Sequence, residues 1–166
     1  MFEKFNTPAE VYNFKLGATL KMERNVLEIL EANIEASEDD RVKALLRAHQ
    51  TESQVHVRNV EEVFGLFGWD VEESACPAID ALEKEGAAMV KKADDSLVDA
   101  VILQSAVEVE HHEVGVYENL LINANAMHRE DVMAVLARNC ESEQSTLDKI
   151  KTLQAELAAA TPKVAA

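Results

Sequence analysis

The sequence predicts an all-α fold in which a few long helices pack as a bundle, and its composition supports this in three ways. Only 5 of the 166 residues are Gly and 3 are Pro, too few for the many turns of a β-sandwich or barrel. Hydrophobic residues make up 48% of the chain, which excludes a disordered polypeptide. Aromatic residues contribute only 5%. At this length the core belongs to one domain, expected over residues 1–158.

The first two long helices are predicted over about residues 8–36 and 40–67. Thr7 followed by Pro8 is a typical helix start, and the acidic segment 37–40 ends the first helix and caps the second. Gly68 suits the end of the second helix. Residues that recur at spacings of three and four form one stripe on the first helix. They are Tyr12, Leu16, Leu20, Glu23, Leu27, Leu30 and Ile34.

The rest of the chain predicts a long crossover and two more long helices. Residues 69–76 have the character of a loop, and Pro77 begins a short helix that ends near residue 93. Long helices follow over about 96–127 and 130–158, and 159–166 is expected to be a disordered tail. Two tight connections and one long one, after the second helix, are typical of a ferritin-like four-helix bundle, with the extra short helix on its crossover.

Charge and the two cysteines restrict the partners and the compartment. The chain has 16 Lys and Arg against 31 Asp and Glu, a formal net charge of −15. Nucleic acid and anionic membranes are therefore not expected as partners. No apolar run is long enough to span a membrane, and the start of the chain lacks the pattern of a secretory signal. Cys76 and Cys140 do not form a disulfide framework, so a cytoplasmic protein is expected.

Every predicted apolar stripe contains at least one glutamate, although a buried carboxylate without a partner costs several kcal/mol. One such residue can reach solvent at the edge of a stripe, but here all four long helices show the feature. The glutamates concerned are Glu23, Glu52, Glu110, Glu113 and Glu143.

These glutamates are also expected at one level of the bundle. Glu23 and Glu52 lie about 15 residues on either side of the first turn, and Glu113 and Glu143 are placed in the same way around the second. At the helical rise per residue, each is ~22 Å from its turn. The stripes carry no Lys or Arg near this level. Two divalent ions would nearly balance five carboxylates, so the sequence predicts a dinuclear metal site, with iron expected first and Mn or Zn as alternatives.

Histidines offer further ligands, but the residues alone do not select one. His49 and His56 flank Glu52 on the same helix face, and either could bind the metal or simply pack beside it. The pair at 111–112 is expected to point away from the glutamate face of the third long helix. Tyr117, one turn beyond Glu113, is expected either as an ordinary core residue or as a neighbour of the metal.

Short motifs over residues 10–155 occur in an order that resembles a known family. They are Met22-Glu23, HQTESQ at 49–54, Val63-Phe64 before Gly68, Cys76 with Ala78-Ile79, VEHHEV at 109–114 with Tyr117, and Glu141-Ser142-Glu143. With this set the chain resembles the YciE/YciF-type family of bacterial ferritin-like proteins, which is related in architecture to the rubrerythrins.

The resemblance implies a ligand set and a broad role. The implied metal ligands are the five glutamates, Glu23, Glu52, Glu110, Glu113 and Glu143, with His49 at a position where the family also tends to have histidine. His56 stands where the family usually lacks one, and Ser142 replaces a common acid at an outward position. Homodimers and a bacterial stress response are implied as well.

The expected function is that of a diiron protein reacting with O2 or peroxide, with an oxidoreductase or peroxidase-like activity. One alternative is a redox-silent structural or interaction protein with an empty site or a structural metal. Iron storage is a weaker alternative because it requires a multi-subunit shell.

Overall fold

The structure, a computed structural model, describes residues 4–160, and within that range it contains five α-helices and no strand. A 3-10 turn at Asp95–Leu97 precedes the fourth helix. The helices are α1 (Pro8–Ala36), α2 (Asp40–Phe67), α3 (Pro77–Lys92), α4 (Val98–Ala126) and α5 (Glu130–Ala160). Helix α5 continues two residues past its predicted end, and the rest of the predicted tail, 161–166, lies outside the described residues.

Local capping explains why the sequence locates the helix ends so closely. The Thr7 hydroxyl accepts a hydrogen bond from the backbone N–H of Glu10, and the Glu10 carboxylate accepts from the backbone N–H of Thr7. This reciprocal pair satisfies donors that the first turn leaves free. Asp39 caps α2 through the N–H of Arg41. Gly68 ends α2 at φ 70°, a left-handed conformation that favours glycine.

The helices form two hairpins, α1 with α2 and α4 with α5, and α2 also packs against α5 while α1 packs against α4. The Asp99 carboxylate, at the start of α4, accepts hydrogen bonds from the Ser37 hydroxyl and from the backbone N–H groups of Glu38 and Asp39. Helix α4 therefore begins at the end of the bundle that holds the α1–α2 turn.

The opposite end of the bundle is joined through Arg129. Its guanidinium donates to the carbonyl of Leu66 and lies 4.1 Å above the ring centroid of Phe67. Helices α2 and α4 consequently run in the same direction, and the crossover returns the chain along the bundle. The predicted ferritin-like connectivity is confirmed.

The crossover packs closely on the bundle. Helix α3 contacts α4 and α1 from outside and has a single fully buried residue, Ile79. Before it, the backbone passes directly over Gly17 of α1. A Cβ atom at Gly17 would lie 2.7 Å from both the Glu72 carbonyl oxygen and the Ser74 hydroxyl. Only a residue without a side chain permits this approach.

Candidate metal centre

Four glutamates lie buried at the middle of the bundle, where an apolar core would be expected. Their relative exposure is 0% for Glu23, 2% for Glu110, 0% for Glu113 and 0% for Glu143. Helix α1 supplies the first, α4 the next two and α5 the last. Helix α2 adds two buried imidazoles, His49 and His56. Each side chain occupies a position on the inward stripe of its helix, so helical periodicity turns all six towards one another.

The first of two ligand groups contains His49, Glu110, Glu113 and Glu143. Each offers one ligand atom within 4.8 Å of the others. The Nε2 atom of His49 lies 2.8 Å from Oε1 of Glu110, and its Nδ1 atom lies 3.9 Å from Oε2 of Glu143. This group draws on α2, α4 and α5.

The second group contains Glu23, His56 and Glu143, again within 4.8 Å of one another. The Nδ1 atom of His56 lies 2.7 Å from Oε1 of Glu143 and 3.8 Å from Oε2 of Glu23. Glu143 therefore belongs to both groups, and its two oxygens approach different histidines. A carboxylate in this position can bridge two cations.

Most of the polar atoms in the two groups have no hydrogen-bond partner in the described chain. Six of the eight carboxylate oxygens of the four glutamates are orphaned, as are both ring nitrogens of His49 and Nδ1 of His56. The short contacts between imidazole and carboxylate thus lack the direction of hydrogen bonds. Lys and Arg ion pairs within residues 4–160 involve other carboxylates. Converging, desolvated atoms of this kind fit a cation between them.

Burial and the crowding of like charges shift the pKa values of the groups in the centre. Burial and the charge of Glu143 raise the pKa of Glu23 and of Glu113 well above the ordinary glutamate value. Burial raises the pKa of Glu110 to about 6, although His49 opposes this. Burial opposes the charge on His49, but the neighbouring carboxylates outweigh it and raise its pKa to about 10. Without a cation, the centre therefore tends to retain protons.

A hydrogen-bonded chain holds Glu23 in place. The Tyr117 hydroxyl donates to Oε1 of Glu23 and accepts a 2.9 Å hydrogen bond from the Asn139 amide. The same amide lies 3.3 Å from the carbonyl of His56, and Asn59 donates to Oδ1 of Asn139 at 2.6 Å. Of the two interpretations of Tyr117, the structure favours a neighbour of the ligand group. Sequence reasoning missed Asn139, whose signal is a polar residue one turn before Glu143 on the buried stripe of α5.

Glu52 belongs to neither ligand group. Its side chain is 35% exposed and its carboxylate accepts a 3.0 Å hydrogen bond from the Thr146 hydroxyl, with Lys149 Nζ at 3.7 Å. Its Oε2 atom lies 3.9 Å from Nδ1 of His49. These neighbours, His49 foremost, lower the pKa of Glu52 to about 2. The structure thus places Glu52 as a carboxylate at the edge of the centre.

Two histidines lie in the ligand groups, and the pair at 111–112 lies outside them. Both His49 and His56 lie in the ligand groups, a choice that the sequence left open. Their spacing of seven residues was the available signal, because it places two side chains within about 20° of each other on a helix. His111 is exposed and His112 is half-buried against Lys15, outside both groups.

Comparison with known proteins identifies the family. Residues 7–162 match the family model described as a domain of unknown function, DUF892. The chain belongs to the DUF892 family. Protein YciF of Escherichia coli strain K12 is 22% identical over 149 residues, which cover 89% of this chain and 90% of YciF. The resemblance to the YciE/YciF-type family is confirmed.

Two solved structures share the fold of this DUF892 chain. YcfI from Rhodopseudomonas palustris, whose description proposes a structural role, superposes with a TM-score of 0.88 at 26% identity, covering 92% of this chain and 98% of YcfI. The crystal structure of the E. coli stress protein YciF also has a TM-score of 0.88, at 20% identity, covering 95% of this chain and all of the other. Over residues 4–160, no helix has the length and apolar character to cross a membrane.

Proposed function

We propose that this DUF892 protein binds two metal ions at the centre of its bundle, most readily iron, and reacts with O2 or a peroxide. The observation that carries the proposal is the pair of ligand groups joined by Glu143. Four ionised carboxylates carry four negative charges, and two divalent ions would neutralise them. Carboxylate with imidazole is a donor set that suits Fe, Mn or Zn.

The residues around the centre support this role. Glu110, Glu113 and His49 would hold one ion, Glu23 and His56 would hold the other, and Glu143 would contribute a carboxylate oxygen to each. Tyr117 and Asn139 keep Glu23 turned towards the centre. Leu20, Met22 and Ile102, with exposures of 0%, belong to the apolar core that keeps water away. Bound iron would supply one-electron redox chemistry and open positions for the oxidant.

The biological setting proposed is oxidative or general stress in a bacterial cell. Support comes from the stress-protein description of YciF, which shares the fold. We propose no nucleic acid or membrane partner, because a net charge of −15 opposes binding to either anionic surface.

The test is an anaerobic Fe(II) titration of the metal-free protein. Wild type is expected to saturate near two ions per chain, Glu23→Gln near one, and Glu143→Gln to lose tight binding of both because both groups need it. Glu141→Gln is the matched control, since Glu141 is exposed on the same helix. A wild type that binds no iron, or an equal loss in the Glu141 and Glu143 variants, would refute the proposal.

A redox-silent structural protein is the second candidate, favoured by the role proposed for YcfI. Exposure of the Fe(II)-loaded protein to air separates the two. Ferric absorbance that develops with wild type and not with Glu143→Gln supports the redox function. Bound iron that stays ferrous in air supports the structural one.

A further inference from the structure

An apolar cleft leads from the protein surface to the metal centre. It lies between α1, α3 and α4 and has a volume of about 240 Å³. His49 and Glu110, both ligand-group members with 2% exposure, form part of its lining. The cleft therefore reaches the first ligand group, and none of the second group's residues lines it.

Most of the residues that line the cleft are aliphatic or small and apolar. Val26 and Leu30 of α1 and Val109 of α4 are buried core residues that line it, and α3 contributes Leu82 and Val90. Charged side chains lie among the exposed and half-buried lining residues.

Small residues on α3 and α4 create the space. Gly86 of α3 faces Ser105 of α4 so closely that a Cβ atom would lie 3.3 Å from that side chain. Ala106 of α4 and Ala87 of α3 also line the cleft. Helix α3 thus approaches α4 at Gly86 while the short side chains leave a gap towards α1. Larger residues would fill this gap, as they do elsewhere in close-packed cores.

The volume and lining indicate the class of occupant. An apolar cavity of about 150 Å³ is known to take up benzene, so this larger cleft can hold one substituted ring or a chain of several carbons. Glu28 and Glu83 lie in its lining with one cation, Lys91. Together with the net charge of −15, this lining disfavours anions and favours an uncharged molecule.

We propose that the cleft binds an uncharged organic molecule with an apolar body of single-ring size, with one end at His49 and Glu110. Resting on the proposed function, this makes the cleft the substrate site of the metal centre. The oxidisable or peroxidic substrate would then be an apolar organic compound, and it would meet the proposed metal centre at His49 and Glu110.

The experiment measures binding to the full-length, metal-free protein, so it does not depend on iron. Toluene is titrated into 15N-labelled protein with a chelator present, and benzoate serves as the charged probe of similar size. Toluene is expected to give saturable amide shifts at cleft residues such as Ser105 and Val109, and benzoate is not. Absence of saturable shifts up to the solubility of toluene, or equal shifts with benzoate, overturns the proposal.

Two variants locate the binding. Ala106→Leu places three extra carbons in the cleft and is expected to weaken toluene binding roughly tenfold or more. Ala87→Trp obstructs the cleft from α3 and is an independent test in case the core variant does not fold. Ala88→Trp is the matched control, because Ala88 is exposed on the same helix and does not line the cleft. Unchanged toluene affinity in the folded cleft variants contradicts the proposal.

The two titrations test the two proposals independently. If the protein binds toluene but not Fe(II), the proposed binding site in the cleft is supported and the proposed metal function is refuted. If the protein binds Fe(II) but not toluene, metal binding is supported and the proposed binding site in the cleft is refuted.

Discussion

Replacing Glu113 with leucine is expected to stabilise the metal-free protein and to reduce the stabilisation that added metal provides. Glu113 is fully buried, and both of its carboxylate oxygens lack a hydrogen-bond partner. Burial and the nearby charges of Glu143 and Glu23 raise its pKa well above the ordinary value. Metal-free protein therefore carries the cost of an isolated buried acid, and Glu113→Leu removes it with a side chain of similar volume.

The magnitude follows from the cost of a buried polar group without a hydrogen-bond partner, which is about 1–3 kcal/mol. We expect Glu113→Leu to raise the free energy of unfolding of the metal-free protein by about that amount. In a chain of this size each kcal/mol raises Tm by about 2–4 °C. In the presence of metal at a hundred times its Kd, wild type gains about 2.7 kcal/mol from each site. The variant lacks one ligand of the His49 group, so it loses at least that site's share.

The assay is thermal unfolding followed by circular dichroism, first with a chelator and then with Fe(II) under anaerobic conditions or with Mn(II). We expect the variant to melt above wild type without metal and to lose much or all of this advantage when metal is added. Glu108→Leu is the control, since Glu108 is exposed on the same helix and its replacement should change stability by about 0.5 kcal/mol or less.

Two results would refute the reasoning. If metal-free Glu113→Leu melts clearly below wild type, the carboxylate contributes to the fold through contacts other than a cation. If added metal raises the Tm of the variant as much as that of wild type, Glu113 is not a ligand.

Further predictions concern contacts that hold the bundle together, each measured by urea unfolding. Gly17→Ala should destabilise the protein by about 1–3 kcal/mol because its Cβ would overlap the crossover backbone. The control Gly115→Ala has open space around it and should stabilise the protein by about 0.8–1.0 kcal/mol. Equal effects of the two substitutions would contradict the close approach of the crossover to Gly17. Asp99→Ala should cost about 1–2 kcal/mol by removing the cap of the α1–α2 turn, and no loss would show that the turn is held by other groups. Tyr117→Phe should cost about 1–3 kcal/mol in metal-free protein because the Glu23 carboxylate loses its donor, and a neutral result would show that this hydrogen bond is not stabilising.

The helices were predictable because their ends depend on neighbours in the sequence. Thr7 with Pro8, Asp39 and Gly68 satisfy or end a helix whatever the rest of the chain does. The inward position of Glu23, Glu110, Glu113 and Glu143 was predictable for a similar reason. A stripe at helical spacing must face the core, and a carboxylate within that stripe is carried inward with it.

The position of a residue near the edge of a stripe does not show whether its side chain turns inward, and Glu52 is an example. It lies about 40–60° around α2 from His56 and His49, at roughly 100° per residue, so a small rotation of the helix decides whether its flexible side chain turns inward. In the structure Thr146 and Lys149 of α5 hold it at the edge. Those partners are about a hundred residues away in sequence, and periodicity does not reveal them.

By itself, the sequence determined an acidic all-α bundle with carboxylates at its centre, because capping and hydrophobic spacing act over a few residues. Only the tertiary structure showed that the ligands form two groups around Glu143 and that His56 belongs to one of them. It also showed the hydrogen bond from Asn139 to Tyr117 and the apolar cleft beside Glu110. These features depend on the distances between side chains of different helices. Only the packing of the helices fixes those distances, since the chain that joins them permits many rotations about each helix axis.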